Sequence, residues 1–95
     1  MTASRKEVYE AIDGERAYQE QKWPGHQHSL LEWLVYIDDY SAEAKRFASR
    51  NPDPIAADFL RNAARKIAAL AVAGLEQNGV RTREQEGGRL VGQVA

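Results

Sequence analysis

Three groups of side chains in this 95-residue chain have the types and spacing to do chemistry. The densest is ERAYQEQKWPGHQHS, residues 15 to 29, which sets Glu15, Arg16, Tyr18, Gln19, Lys22, Trp23, His26 and His28 beside a single turn. The second is acidic. Glu32, Tyr36, Asp39 and Glu43 share one side of a helix, and Asp39 with Glu43 at i, i+4 could offer oxygen ligands and waters to one Mg²⁺. The third is cationic: Lys66 stands at the border of an apolar helical face, where its ammonium is a point charge suited to phosphate, while Arg61 and Arg65 point further outward. Each group has a plainer reading. Asp39 and Glu43 also fit a solvated face balanced by Lys45 and Arg46, and Lys66 fits a lysine that lays its stem on the core. His26 and His28 lack a third His or Cys to close a metal site, since the chain has no cysteine.

The elements that must position these groups are helical. Ser4 and Glu7 have capping-box spacing, and Val8, Ala11 and Ile12 follow at helical intervals until Pro24 and Gly25 stop the first helix. Ser29 and Glu32 repeat the capping box before a second helix whose face is Leu30, Trp33, Leu34, Ile37, Ser41, Ala44 and Ala48. In RNPDP, Asp53 suits an N-cap and Pro54 a first helical position for a third helix. That helix carries Ile55, Phe59, Leu60, Ala63, Ala64, Ile67, Leu70, Ala71 and Leu75 and ends near Gly79, with alanines that allow close helix approach. No strand pattern is present. The expectation is an all-α fold, a compact three-helix domain over residues 1–79. Residues 80–95 read as a flexible tail in which Leu90, Val91 and Val94 could dock on a partner.

Along helix one, Val8 and Ile12 define the buried side, and at 100° per residue Glu15, Gln19 and Lys22 continue the same stripe with Tyr18 and Trp23 at its margins. A face that begins apolar and turns polar passes from core to cleft, or else simply runs past the core into solvent. If Glu15 is buried it needs a cation, a donor or a metal beside it.

The order ERAYQEQKW, then His28, then EWLVYIDDY, then RKIAALAVAGLEQNG resembles the small MazG-like proteins common in phage genomes, which lie in or near the all-α nucleotide pyrophosphohydrolases. The likeness spans residues 7 to 83 and rests on Glu15, Arg16, Gln19, Lys22, Trp23, His28, Trp33, Leu34 and an Ala-rich helix reaching Glu76. Active members of that family carry two pairs of acids on successive helices, which hold Mg²⁺ to activate water against a phosphoanhydride. Here the first pair corresponds to Asp39 and Ala42, with Glu43 displaced by one position, and the second falls near Ala63 and Lys66. The resemblance therefore implies a nucleotide-related site in which acids have given way to methyl groups and an ammonium.

The net charge of −1, with bases dispersed among acids, argues against a nucleic-acid surface. No apolar run approaches a membrane span, so the expected compartment is the cytoplasm, that of the bacterial host on the phage likeness. The leading expectation is a non-catalytic binder of a nucleotide-like molecule, such as a signal of bacterial immunity, needing no cofactor and assembled as a homo-oligomer. Its site would use Glu15, Arg16, Tyr18, Gln19, Lys22, Trp23, His28, Trp33, Tyr36, Arg65 and Lys66. One alternative is a pyrophosphohydrolase with Glu15, Asp39 and Glu43 around Mg²⁺. Another is a module that inhibits a host protein through an exposed helical face.

Overall fold

The structure, a computed structural model, describes residues 2–87, so Leu90, Val91 and Val94 lie outside the described residues. It is all-helical, with α1 over Arg5–Lys22, α2 over Leu30–Ser49, α3 over Ile55–Asn78 and a single turn, α4, over Arg83–Gly87. Both capping boxes form. Ser4 Oγ accepts from the Glu7 amide at 3.1 Å while Glu7 Oε1 accepts from the Ser4 amide at 2.9 Å. Ser29 and Glu32 repeat the exchange at 3.1 and 2.8 Å. These carboxylates titrate below their ordinary range, chiefly because the backbone donor of the cap serine favours the charged form. Gly79 ends α3 with φ 92°, a conformation open to glycine, and its amide donates to the Leu75 carbonyl at 2.8 Å.

Two boundaries differ from the sequence reading. Helix α3 starts one residue later, with Pro54 as the N-cap and no side-chain cap from Asp53. Backbone carbonyls serve its first turn instead: the Ala56 amide donates to Pro52 O at 3.1 Å and the Asp58 amide to Pro54 O at 3.0 Å. The segment read as a tail from residue 80 contains α4, opened by a reciprocal box in which Thr82 Oγ1 accepts from the Gln85 amide and Gln85 Oε1 accepts from the Thr82 amide. Thr82 and Gln85 have the capping-box spacing, and it lay in plain view in the sequence.

Helix α3 is the centre of the fold. Helices α1 and α2 each pack against it, and neither closes on the other. The radius of gyration is 15.5 Å, against about 12 Å for a compact domain of this length. The expected compact three-helix packing is therefore an open layer. Its core is made of small residues: Ala44, Ala56, Ala63, Ala69 and Ala73 are buried, joined by Trp33 at 7% exposure. Alanine at the contacts lets the axes approach, and Gly74 lets Trp33 lie directly on α3. At the far end Phe47 stacks on Phe59 with ring centroids 4.0 Å apart. Among the described residues no large side chain is fully buried, and Leu31, Leu34 and Val35 remain 72%, 53% and 50% exposed. Helix α1 meets α3 through Glu15, Arg16 and Gln19, whereas Val8, expected in the core, is exposed.

Gly14 in α1 and Gly74 in α3 should respond oppositely to alanine. Nothing lies within 4 Å of a Cβ at Gly14, so Gly14→Ala should gain the helix-propensity difference of about 1 kcal/mol. A Cβ at Gly74 would sit 3.2 Å from Leu30 Cδ1 and 3.3 Å from Trp33 Cβ and Cγ. Buried Trp33 has little room to retreat, so Gly74→Ala should lower the thermal midpoint, read by circular dichroism, where Gly14→Ala raises it.

Candidate functional site

The last turn of α3 fastens the α1–α2 connection. Gln77 Oε1 accepts from the Trp33 indole N–H at 2.9 Å and from the His28 amide at 3.0 Å, and its Nε2 donates to the His26 carbonyl at 2.7 Å. An indole N–H and a backbone N–H can only donate, so both must face the carboxamide oxygen, and the amide nitrogen is left for the carbonyl. Asn78 adds a second tie, donating from Nδ2 to the His28 carbonyl at 3.2 Å and the Gly74 carbonyl at 2.9 Å.

Helix α1 supplies the opposite side. Arg16 Nε donates to Glu76 Oε1 at 2.9 Å, and its Nη2 meets Glu20 at 2.9 Å and Glu76 at 2.7 Å. Burial alone would lower the pKa of this guanidinium, but the bonds to Glu20 and Glu76 outweigh it and raise the value. Glu20 is held below the ordinary carboxylate range by Arg16 and then by the Gly25 amide, which donates to its Oε2 at 3.4 Å. Gln19, 8% exposed, donates from Nε2 to the Lys66 carbonyl at 3.3 Å, and its Oε1 is buried without a partner. Glu15 does find the cation its burial requires: Arg65 Nε donates to its Oε1 at 2.8 Å.

Between these sides lies a pocket of about 340 Å³. Arg16, Gln19, Glu20 and Trp23 line it from α1 and its C-cap, His26 and His28 from the connection, and Trp33 and Tyr36 from α2, with Leu70, Ala73 and Gln77 contributed by α3. The His28 ring stands edge-on to Trp33 at 5.1 Å and to Tyr36 at 5.0 Å between centroids. His28 Nε2 lies 3.0 Å from His26 Nδ1, and His28 Nδ1 lies 3.8 Å from Glu32 Oε1.

Of the residues singled out in the sequence, Arg16, Gln19, Trp23, His28, Trp33 and Tyr36 come together here. Others do not. Glu15 and Arg65 are spent on one another, and Lys66 contributes its carbonyl to Gln19. Lys22 lies over the rings of Tyr18 and Trp23, 5.7 and 5.1 Å from their centroids, and neither Lys22 nor Tyr18 lines the pocket. Asp39 and Glu43 are exposed on α2 and outside the pocket. Among the described residues no group of three or more His, Cys, Asp or Glu side chains is placed to hold a metal ion, and no helix is long and apolar enough to cross a membrane. Sequence reasoning missed Glu20 and Gln77. Gln77 did carry a signal, because it extends the stripe of Leu70 and Ala73 at i+7 and i+4, as Gln19 extends that of Ile12. The chain matches no family model, no curated protein and no solved structure.

Gln77→Leu should strand two donors, at Trp33 and His28, each costing about 1–3 kcal/mol when left without an acceptor in a part-buried site. Urea unfolding should show a loss on the order of 2–6 kcal/mol. Gln77→Glu keeps the shared acceptor and should lose less than Gln77→Leu.

Proposed function

We propose that this chain binds a nucleotide-like small molecule in the pocket and releases it chemically unchanged. The observation that carries the reading is the pocket's construction, with flat rings of Trp23, His28, Trp33 and Tyr36 beside the polar groups of Arg16, Gln19, Glu20 and Gln77. At about 340 Å³ it falls in the size range of small-molecule sites. The resemblance to MazG-like proteins supports a nucleotide as the ligand class. The positions where that family keeps its second acidic pair support binding without hydrolysis: Ala63 is buried in the core and Lys66 is a cation. A phage protein of this kind would serve to sequester a nucleotide signal of the host's defence. Thermal unfolding with a panel of nucleotides tests the reading. Some member at about 100 times its Kd should raise the midpoint on the order of 10 °C without Mg²⁺, and denaturation should return it intact. Metal-dependent release of pyrophosphate, abolished by Asp39→Ala, would support the hydrolase instead.

A second reading concerns assembly, and it rests on the thin core. With Leu31, Leu34 and Val35 at least half exposed on α2, and Leu60 and Leu75 about 40% exposed on α3, a lone subunit leaves much apolar surface in water. We infer that the chain self-associates to cover it. Light scattering should give a mass above 10.7 kDa that falls on dilution or after Leu31→Glu. A monomer mass independent of concentration would leave that face to a different protein.

A further inference from the structure

Resting on the reading of the pocket as a nucleotide site, we propose that the ligand is held by its base, a neutral flat heteroaromatic ring, while its phosphates stay outside and add little to affinity. The argument is one of charge. The fixed charges lining the pocket are Arg16 and Glu20. Arg16 is already bound to two carboxylates, Glu20 and Glu76, so this cluster of three sums to −1. Gln19 adds the negative end of a buried carbonyl dipole whose oxygen has no donor.

The histidines do not reverse this balance. His26 Nδ1 and His28 Nε2 face each other at 3.0 Å, a distance that needs one N–H and one lone pair. Two imidazolium rings would set donor against donor, so the pair carries at most one proton charge in this geometry. Glu32, 3.8 Å from the other His28 nitrogen, offsets that charge when it is present. The remaining cations nearby are committed or placed elsewhere: Arg65 is paired with Glu15, Lys22 lies over Tyr18 and Trp23, and Lys66 is not part of the lining. A phosphate entering the pocket would leave water for a lining whose one fixed cation, Arg16, is already paired with two carboxylates, at a cost that the low dielectric of a half-enclosed wall enlarges. An uncharged ring has no such cost. Trp23 and Tyr36 line the pocket and are still about half exposed, which leaves ring surface for it to cover.

The test compares each common nucleoside with its 5′-triphosphate, without divalent metal, at low and high salt. The two tryptophans of the chain, Trp23 and Trp33, both line the pocket, so their fluorescence reports occupancy directly. At least one nucleoside should bind, with its triphosphate within about threefold of it and both nearly independent of salt. Glu20→Gln, which removes one of the two carboxylates on Arg16, should shift affinity toward the triphosphate, and Tyr36→Ala should weaken the nucleoside. A triphosphate more than about tenfold tighter than its nucleoside, with affinity falling as salt rises, overturns the base-first inference and leaves the nucleotide reading standing. Silence from every nucleoside and triphosphate overturns both.

Discussion

The side-chain amide of Gln77 is the constraint on which the candidate site depends. One oxygen takes the Trp33 indole and the His28 amide, and one nitrogen reaches the His26 carbonyl, so a single group joins α3, α2 and the connection. Backbone groups in a connection normally turn to water. Here three of them, the His28 amide and the carbonyls of His26 and His28, are tied to the end of α3 through Gln77 and Asn78. The rings of His26 and His28 are consequently carried on a fixed backbone, and the pocket wall has a defined shape although it belongs to a turn. The hydrogen bond also fixes the rotation of Trp33, the one large apolar side chain buried among the described residues.

That arrangement explains why so little apolar volume suffices to place the site. Helix α3 presents alanines and Gly74 to its two neighbours, so helices approach closely but each contact removes little surface from water. The polar ties compensate in specificity where burial is weak. Glu15 with Arg65, Arg16 with Glu20 and Glu76, and Gln19 with the Lys66 carbonyl run along the α1–α3 contact and set its register. An apolar stripe of alanines alone would tolerate sliding. Ion pairs and amides at fixed heights do not.

The capping boxes at Ser4 and Ser29, the glycine stop at Gly79 and the helical periodicity were legible because each depends on neighbours within one turn. The polar continuation of α1's buried face was legible too: Glu15 and Gln19 lie inward, and Glu15 has its counter-charge. The identity of that counter-charge was not. Arg65 and Lys66 differ by one residue, hence by about 100° around α3, and only the docking angle of α1 decides which of them meets Glu15 across 50 residues of sequence. The partners of Gln77 were hidden for the same reason. Its place on the stripe of Leu70 and Ala73 turns it inward, but nothing local names partners that lie 44, 49 and 51 residues away. The open layer was also out of reach, since amphipathic faces specify that helices pack, without specifying whether the first and second touch.

The crowding of residues 15 to 29 has a physical origin in this layout. Because α1 and α2 pack on α3 without closing on each other, the space between them at the Gln77 end is walled by whatever the end of α1 and the connection present. An apolar lining there would be an exposed greasy cleft, and a lining of unpaired charges would pull the helices apart. Paired charges and rings with polar edges avoid both outcomes. Arg16 between two carboxylates and His28 between His26, Trp33 and Tyr36 are self-satisfied groups that still offer flat, weakly polar surface. The wall they leave facing the open space is aromatic, with its one arginine already paired.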